Sequence, residues 1–212
     1  MRYFILFFAV IAVTSACTTK IPQGQPLPEL TYQHLKPYAL QASRITIDNQ
    51  YSPVTDPQDM SSSFPTPPDI AVRRYLENRF EAGGTGNEIV FSIEEAYVYQ
   101  RVEGQTGGLS ALFGNRGKEV YDMMTKVRFY QRNALKEEGQ STTLTFERSL
   151  NLPQNYSLVQ KEKAKLEFLE SFIKSVDVAM LEAIESQGMM VFADESSARA
   201  PLQLLTTPKS GR

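Results

Sequence analysis

Residues 88–103 read Glu-Ile-Val-Phe-Ser-Ile-Glu-Glu-Ala-Tyr-Val-Tyr-Gln-Arg-Val-Glu. Ile89, Phe91 and Ile93 alternate, which is the period of a strand with one face in a core. Ala96, Val98 and Val102 then fall on the opposite parity. A strand repeats its side-chain direction every two residues, so a one-residue slip would turn the apolar set toward water. A β-bulge near Glu94-Glu95 absorbs the extra residue and keeps both halves on one core.

Two further strands follow downstream. Tyr121, Met123, Val127 and Phe129 alternate in the first, and Leu144 and Phe146 alternate with Thr143, Thr145 and Glu147 in the second. Lys136-Glu137-Glu138-Gly139 is expected as the tight connection between them. Upstream, residues 40–51 place Ile45 and Ile47 on one face and Thr46 and Asp48 on the other, a first strand. Thr66 suits a helix N-cap, Pro67 the first helical position and Asp69 the first turn. A helix is therefore expected to run to about Ala82, with Val72, Leu76 and Phe80 as its stripe and Gly83-Gly84 as its stop. A second, long helix starts at Ser157 with Gln160 three residues on, a capping-box pattern. Leu166, Leu169, Ile173, Val176, Met180 and Ile184 form its stripe, and Gly188 ends it. Lys163–Glu167 and Glu170–Lys174 lie four apart on its wet side.

The order is β-α-β-β-β-α. It implies an α+β fold, a mostly antiparallel sheet of about four strands with two helices packed on one face. The expected organisation is residues 1–16 as a signal peptide, 17–39 as a Pro-rich tether, 40–187 as a single domain and 188–212 as a loose tail. The chain has 212 residues, enough for one domain with a substantial core.

The N-terminus carries the plainest signal. Met1-Arg2 is a minimal positive region, Tyr3 to Val13 is an unbroken apolar run, and Thr14-Ser15-Ala16 precede Cys17. The apolar run is well short of the roughly 20 residues of a spanning helix. The segment resembles the signal and lipobox of bacterial lipoproteins, in which small residues precede the acylated Cys. Ser15, Ala16 and Cys17 match, whereas Thr14 stands where Leu is usual. The resemblance implies acyl chains on Cys17, a membrane anchor and an envelope location facing the periplasm. Thr18, where Asp would favour the inner membrane, points to the outer one. Ordinary cleavage after Ala16, leaving a free thiol, is the alternative. The element order is also similar to that of small periplasmic lipoproteins of the ABC-transport auxiliary and YajG-like groups, over roughly residues 40–187. That likeness implies a non-enzymatic accessory of envelope transport or biogenesis.

Composition narrows the chemistry. The net charge is −2, or −3 once Arg2 leaves with the signal, which speaks against a nucleic-acid surface. The single Cys allows no intrachain disulfide and no multi-cysteine metal site. His34, the only imidazole, lies in the tether beside Tyr32 and reads as solvated rather than catalytic. Gly83-Gly84-Thr85-Gly86 follows a helix, the wrong context for a phosphate loop, and Gly117-Lys118 is followed by Glu119 where Ser or Thr is required. Adjacent Glu94 and Glu95 would point to opposite faces of a regular strand. No cofactor, metal or catalytic residue is expected.

The most informative loop is Glu103–Lys118. It carries Leu109, Ala111, Leu112 and Phe113 between Gly107-Gly108 and Gly114, with Arg116 beside the tip. Long connections of this kind are often functional. Leu109, Leu112, Phe113 and Arg116 are candidate contacts with a partner or a lipid surface; the alternative is a loop folded back on its own domain. Four functions follow. A partner-binding envelope lipoprotein comes first. A carrier of an apolar ligand would need an apolar cavity of roughly several hundred Å³. A structural or cell-wall regulatory factor is third, and a hydrolase built on a carboxylate pair is last.

Overall fold

The computed structural model describes residues 30–32, 35–53, 55–104 and 117–190. Among these residues six strands and two α-helices run in chain order: β1 (Tyr38–Leu40), β2 (Arg44–Asn49), α1 (Pro68–Arg79), β3 (Phe80–Ala82), β4 (Glu88–Glu103), β5 (Lys118–Arg132), β6 (Glu138–Pro153) and α2 (Leu158–Ser186). Four strands make one sheet in the order β2-β4-β5-β6, and β1 and β3 pair separately. β2 lies parallel to β4, while β4–β5 and β5–β6 are antiparallel. A parallel pair needs a crossover, and α1 supplies it. The fold is α+β, as the order of elements implies.

The bulge lies where the parity shift places it. The β4–β5 register steps between Ile93 and Glu95, so Ile89, Phe91, Ile93, Ala96 and Val98 all enter the core. Val127 and Phe129 of β5 join them, and the whole stripe of α2 from Leu166 to Ile184 is buried above. The capping box of α2 is formed. Ser157 Oγ accepts from the Gln160 amide at 3.3 Å, and the Gln160 side chain accepts from the Ser157 amide at 2.8 Å. Lys163 and Glu167 pair at 3.7 Å.

Several boundaries differ from the expected ones. Leu30 and Tyr32, assigned to the tether, are buried, and Tyr32 meets Tyr75 edge to face at 5.9 Å. Polar neighbours and prolines hide two core residues when only composition is weighed. α1 starts at Pro68, with Pro67 rather than Thr66 at the cap, and ends at Arg79 rather than near Ala82. Phe80 turns extended because its ring stacks on Phe91 at 5.3 Å in the core. Glycines 83 and 84 follow β3 rather than the helix: their amides donate to the carbonyls of Leu40 and Ala42. The β5–β6 turn sits at Asn133–Glu137, earlier than expected. Asn133 Oδ1 accepts from the amides of Leu135 and Glu137, and Lys136 takes φ 63°.

Helices α1 and α2 are joined by a buried ion pair. Arg79 Nε donates to Asp177 Oδ1 at 2.9 Å and Nη2 to Oδ2 at 3.3 Å. Arg79 Nη1 reaches the Lys36 carbonyl at 2.8 Å, the Tyr75 hydroxyl donates to Asp177 at 2.9 Å, and the guanidinium lies 4.2 Å over the Tyr38 ring. Burial and the Asp177 charge push the Tyr75 phenol well up, so it stays a donor.

A Cβ on Gly84 would stand 3.0 Å from the Gln41 Cα and 3.2 Å from the Ala42 amide, both backbone atoms. Gly84→Ala is expected to cost about 1–3 kcal/mol in urea unfolding through this overpacking, whereas Gly86→Ala, whose site is spatially open but at φ +127°, is strained by its backbone alone.

Candidate interaction surface

The mouth of the β4–β5 hairpin is fixed. Lys118 Nζ pairs with Glu103 at 2.9 Å, and Gly104 takes φ +83°, where a Cβ would stand 3.5 Å from the Gly117 Cα. Leu109, Leu112, Phe113 and Arg116 lie between these ends and outside the described residues, as do Cys17 and His34.

The same end of the sheet carries described apolar residues that sequence reasoning passed over. Leu158 and Val159 in the first turn of α2 are 75% and 69% exposed, Val102 is 48% exposed, and Tyr156 is exposed beside them in sequence. Counting back seven residues from Leu166 and eleven from Leu169 reaches Val159 and Leu158. Both spacings return to nearly the same helical angle. The apolar stripe of α2 therefore continues past its buried part into exposed positions. That overrun was legible in the periodicity.

A polar cluster seats the helix below this end. Lys161 Nζ contacts Glu119 at 2.6 Å, the Tyr121 hydroxyl donates to Glu119 at 2.9 Å, and Gln100 donates to that hydroxyl at 3.2 Å. Lys165 is buried. Its ammonium lies 5.5 Å from the Phe64 ring and 5.2 Å from the Tyr121 ring, with Ser63 O and Glu162 as its polar partners. Burial works against the Glu119 charge. The hydrogen bonds from Lys161 and Tyr121 outweigh it and hold the carboxyl below its ordinary value.

The sheet face opposite the helices is laced with surface ion pairs. Arg101 meets Asp122 at 2.6 Å, Arg128 meets Glu138 at 2.5 Å, and Glu88 is clamped by Arg44 at 2.9 Å and Arg132 at 2.7 Å. The bulge lets Glu94 and Glu95 share one cation, Lys126, at 3.2 and 3.6 Å. Both carboxylates thus serve the sheet, each surface pair worth under about 1 kcal/mol. Among the described residues no group of three or more His, Cys, Asp and Glu could hold a metal.

A cavity of about 560 Å³ opens at the other end, between the β5–β6 turn and the end of α2. Asn87, Gln131, Asn133, Glu137, Gln140 and Gln187 line it. Amides and carboxylates suit water or a polar guest. The space is not the apolar one that a carrier of an apolar ligand requires.

No family model matches the chain, and no curated protein does. Two solved structures are similar to part of it. One is the rare lipoprotein B from Shewanella oneidensis, at 14% identity and a TM-score of 0.34 over 68% of this chain and 96% of that one. The other is a minor lipoprotein from Acinetobacter baumannii, at 12% identity and a TM-score of 0.34 over 71% and 96%. At this level of likeness, function is read from the chain's own residues.

The Glu119 cluster gives a pH test. A carboxyl lowered on folding adds stability that is present above its unfolded pKa and lost as pH falls through its folded one. Glu119→Gln is expected to cost about 1–2 kcal/mol at pH 7. The gap to wild type should hold down to the ordinary value of 4.5 and close below it, as followed by thermal melting across pH.

Proposed function

We propose that this chain is a non-enzymatic lipoprotein of the bacterial envelope. Acylated Cys17 anchors it to a membrane, and its folded domain binds a protein partner as an accessory of envelope transport or biogenesis. The observation that carries the reading is the N-terminal sequence. An apolar run too short to span a bilayer ends in Ser15-Ala16 and the chain's single Cys. Two or three acyl chains give stable attachment where one does not. Thr18 after the Cys favours the outer membrane, with the domain facing the periplasm.

The domain's surfaces support binding rather than chemistry. The sheet carboxylates Glu88, Glu94, Glu119, Asp122 and Glu138 are engaged by Arg44, Arg101, Lys126, Arg128, Arg132 and Lys161. The exposed apolar residues Leu158 and Val159 gather at the end of the fold from which the candidate loop of Leu109, Leu112, Phe113 and Arg116 departs. Apolar groups left open in this way mark contact sites when they cluster.

Metabolic labelling with palmitate tests the anchor. Wild-type chain is expected to take up label and to fractionate with membranes. Cys17→Ser is expected to lose the label and to accumulate uncleaved. Label retained by Cys17→Ser would overturn the reading.

A further inference from the structure

The two long sides of the sheet are finished differently. Where β4 runs past the end of β2, residues 58–61 cover its edge. The Met60 amide donates to Val98 O at 2.8 Å, the Gln100 amide to Gln58 O at 2.9 Å, and the Val98 amide to Ser61 Oγ at 2.9 Å. β6 forms the opposite edge, pairs among the described residues only with β5, and runs for 16 residues. Among the described residues no backbone hydrogen bond joins residues 139–152 to any segment but β5. Every second amide and carbonyl of that length faces outward. Protein edges are ordinarily blunted by Lys, Pro or a bulge. Residues 139–152 contain neither Lys nor Pro, and the register from Lys118↔Pro153 to Tyr130↔Ser141 is unbroken.

The side chains along this edge are unfinished as well. Leu144, Phe146 and Leu150 point to the helical face, opposite Val127, Thr125 and Tyr121, yet are only half-buried. α2 stands over β6 through Arg148, which donates to Ser171 O at 3.0 Å and to the hydroxyls of Ser171 and Ser175 at 3.2 and 3.3 Å. Val178 lies three residues beyond Ser175 and seven beyond Ser171, on the same ridge of α2, and is 65% exposed. Beside the outward backbone of β6 thus stand the half-buried Leu144, Phe146 and Leu150, with Val178 exposed on the α2 ridge that Arg148 reaches. On the other face, the exposed Glu147 makes no ion pair among the described residues.

We infer that the free edge of β6 is a strand-addition site that takes an extended segment of a partner protein, apolar toward Val178 and basic opposite Glu147. The inference deepens the reading of the domain as a partner-binding module. Outward amides and carbonyls recognise another backbone, and the half-buried row selects alternate apolar side chains. Glu147 selects a cation on the other face. A second copy of β6 fits less well. Arg148, its basic residue, has the opposite parity to Glu147 and is held by Ser171 and Ser175.

The test uses the full chain purified in detergent and a ten-residue fluorescent peptide alternating valine and threonine, with one central threonine replaced by lysine. Saturable binding below about 1 mM is expected, with amide hydrogen exchange slowed at alternate residues between 141 and 151. N-methylation of the amides on one edge of the peptide should abolish binding, and on the other edge leave it unchanged. Glu147→Lys and Val178→Ser, both at exposed positions, should each weaken binding about tenfold and leave thermal stability unchanged. The inference is overturned by the absence of saturable binding, by equal binding of both methylated peptides, or by β6 amides protected through dimerisation without peptide. Acylation of Cys17, read on the same preparation, reports separately on the anchor.

Discussion

The fold hangs on one buried ion pair. Arg79 and Asp177 have side chains only 3% and 5% exposed, on two helices nearly a hundred residues apart in sequence. Removing two such charges from water costs several kcal/mol for each ion, and only good geometry with every remaining donor engaged offsets it. Here the carboxylate takes two guanidinium contacts and the Tyr75 hydroxyl, and the guanidinium also takes the Lys36 carbonyl and the Tyr38 ring. The pair therefore fixes three things together: the seating of α1 against α2, the path of the incoming chain, and the point where α1 ends. Phe80 follows Arg79 at once, and its ring stacks on Phe91, which places β3 beside β1 and starts β4.

Much of this was legible where the pattern is local. The parity change at Glu94-Glu95 is enough to place a bulge, because no other device keeps Ile93 and Ala96 on one face. Ser157 and Gln160 are enough to start α2. What stayed hidden depends on partners far away in sequence. A three-residue strand such as β1 has no period to detect. Leu30 and Tyr32 sit among prolines and polar residues and read as tether until the helices that bury them are in place.

The ion pair itself left a trace. Arg79 lies seven residues after Val72 and three after Leu76, on the apolar stripe of α1. Asp177 lies four after Ile173, on the stripe of α2. A charge at a core position in each of two helices is a signal that the two meet. The same logic applies to Val159 and Leu158, stripe positions that stay exposed. The candidate contacts Leu109, Leu112, Phe113 and Arg116 lie outside the described residues, between Glu103 and Lys118, which pair at 2.9 Å. The domain thus combines a helical layer, an ion-paired outer sheet face, an apolar end and a free edge.

The most direct measurement is a double-mutant cycle across the two helices, read by urea unfolding. Arg79→Met and Asp177→Leu should each cost about 3–5 kcal/mol, since each leaves a buried charge without its partner. The double variant should cost clearly less than the sum, with a coupling of at least about 2 kcal/mol. Additive losses, or single losses within about 0.5 kcal/mol of wild type, would contradict the claim that this pair organises the fold.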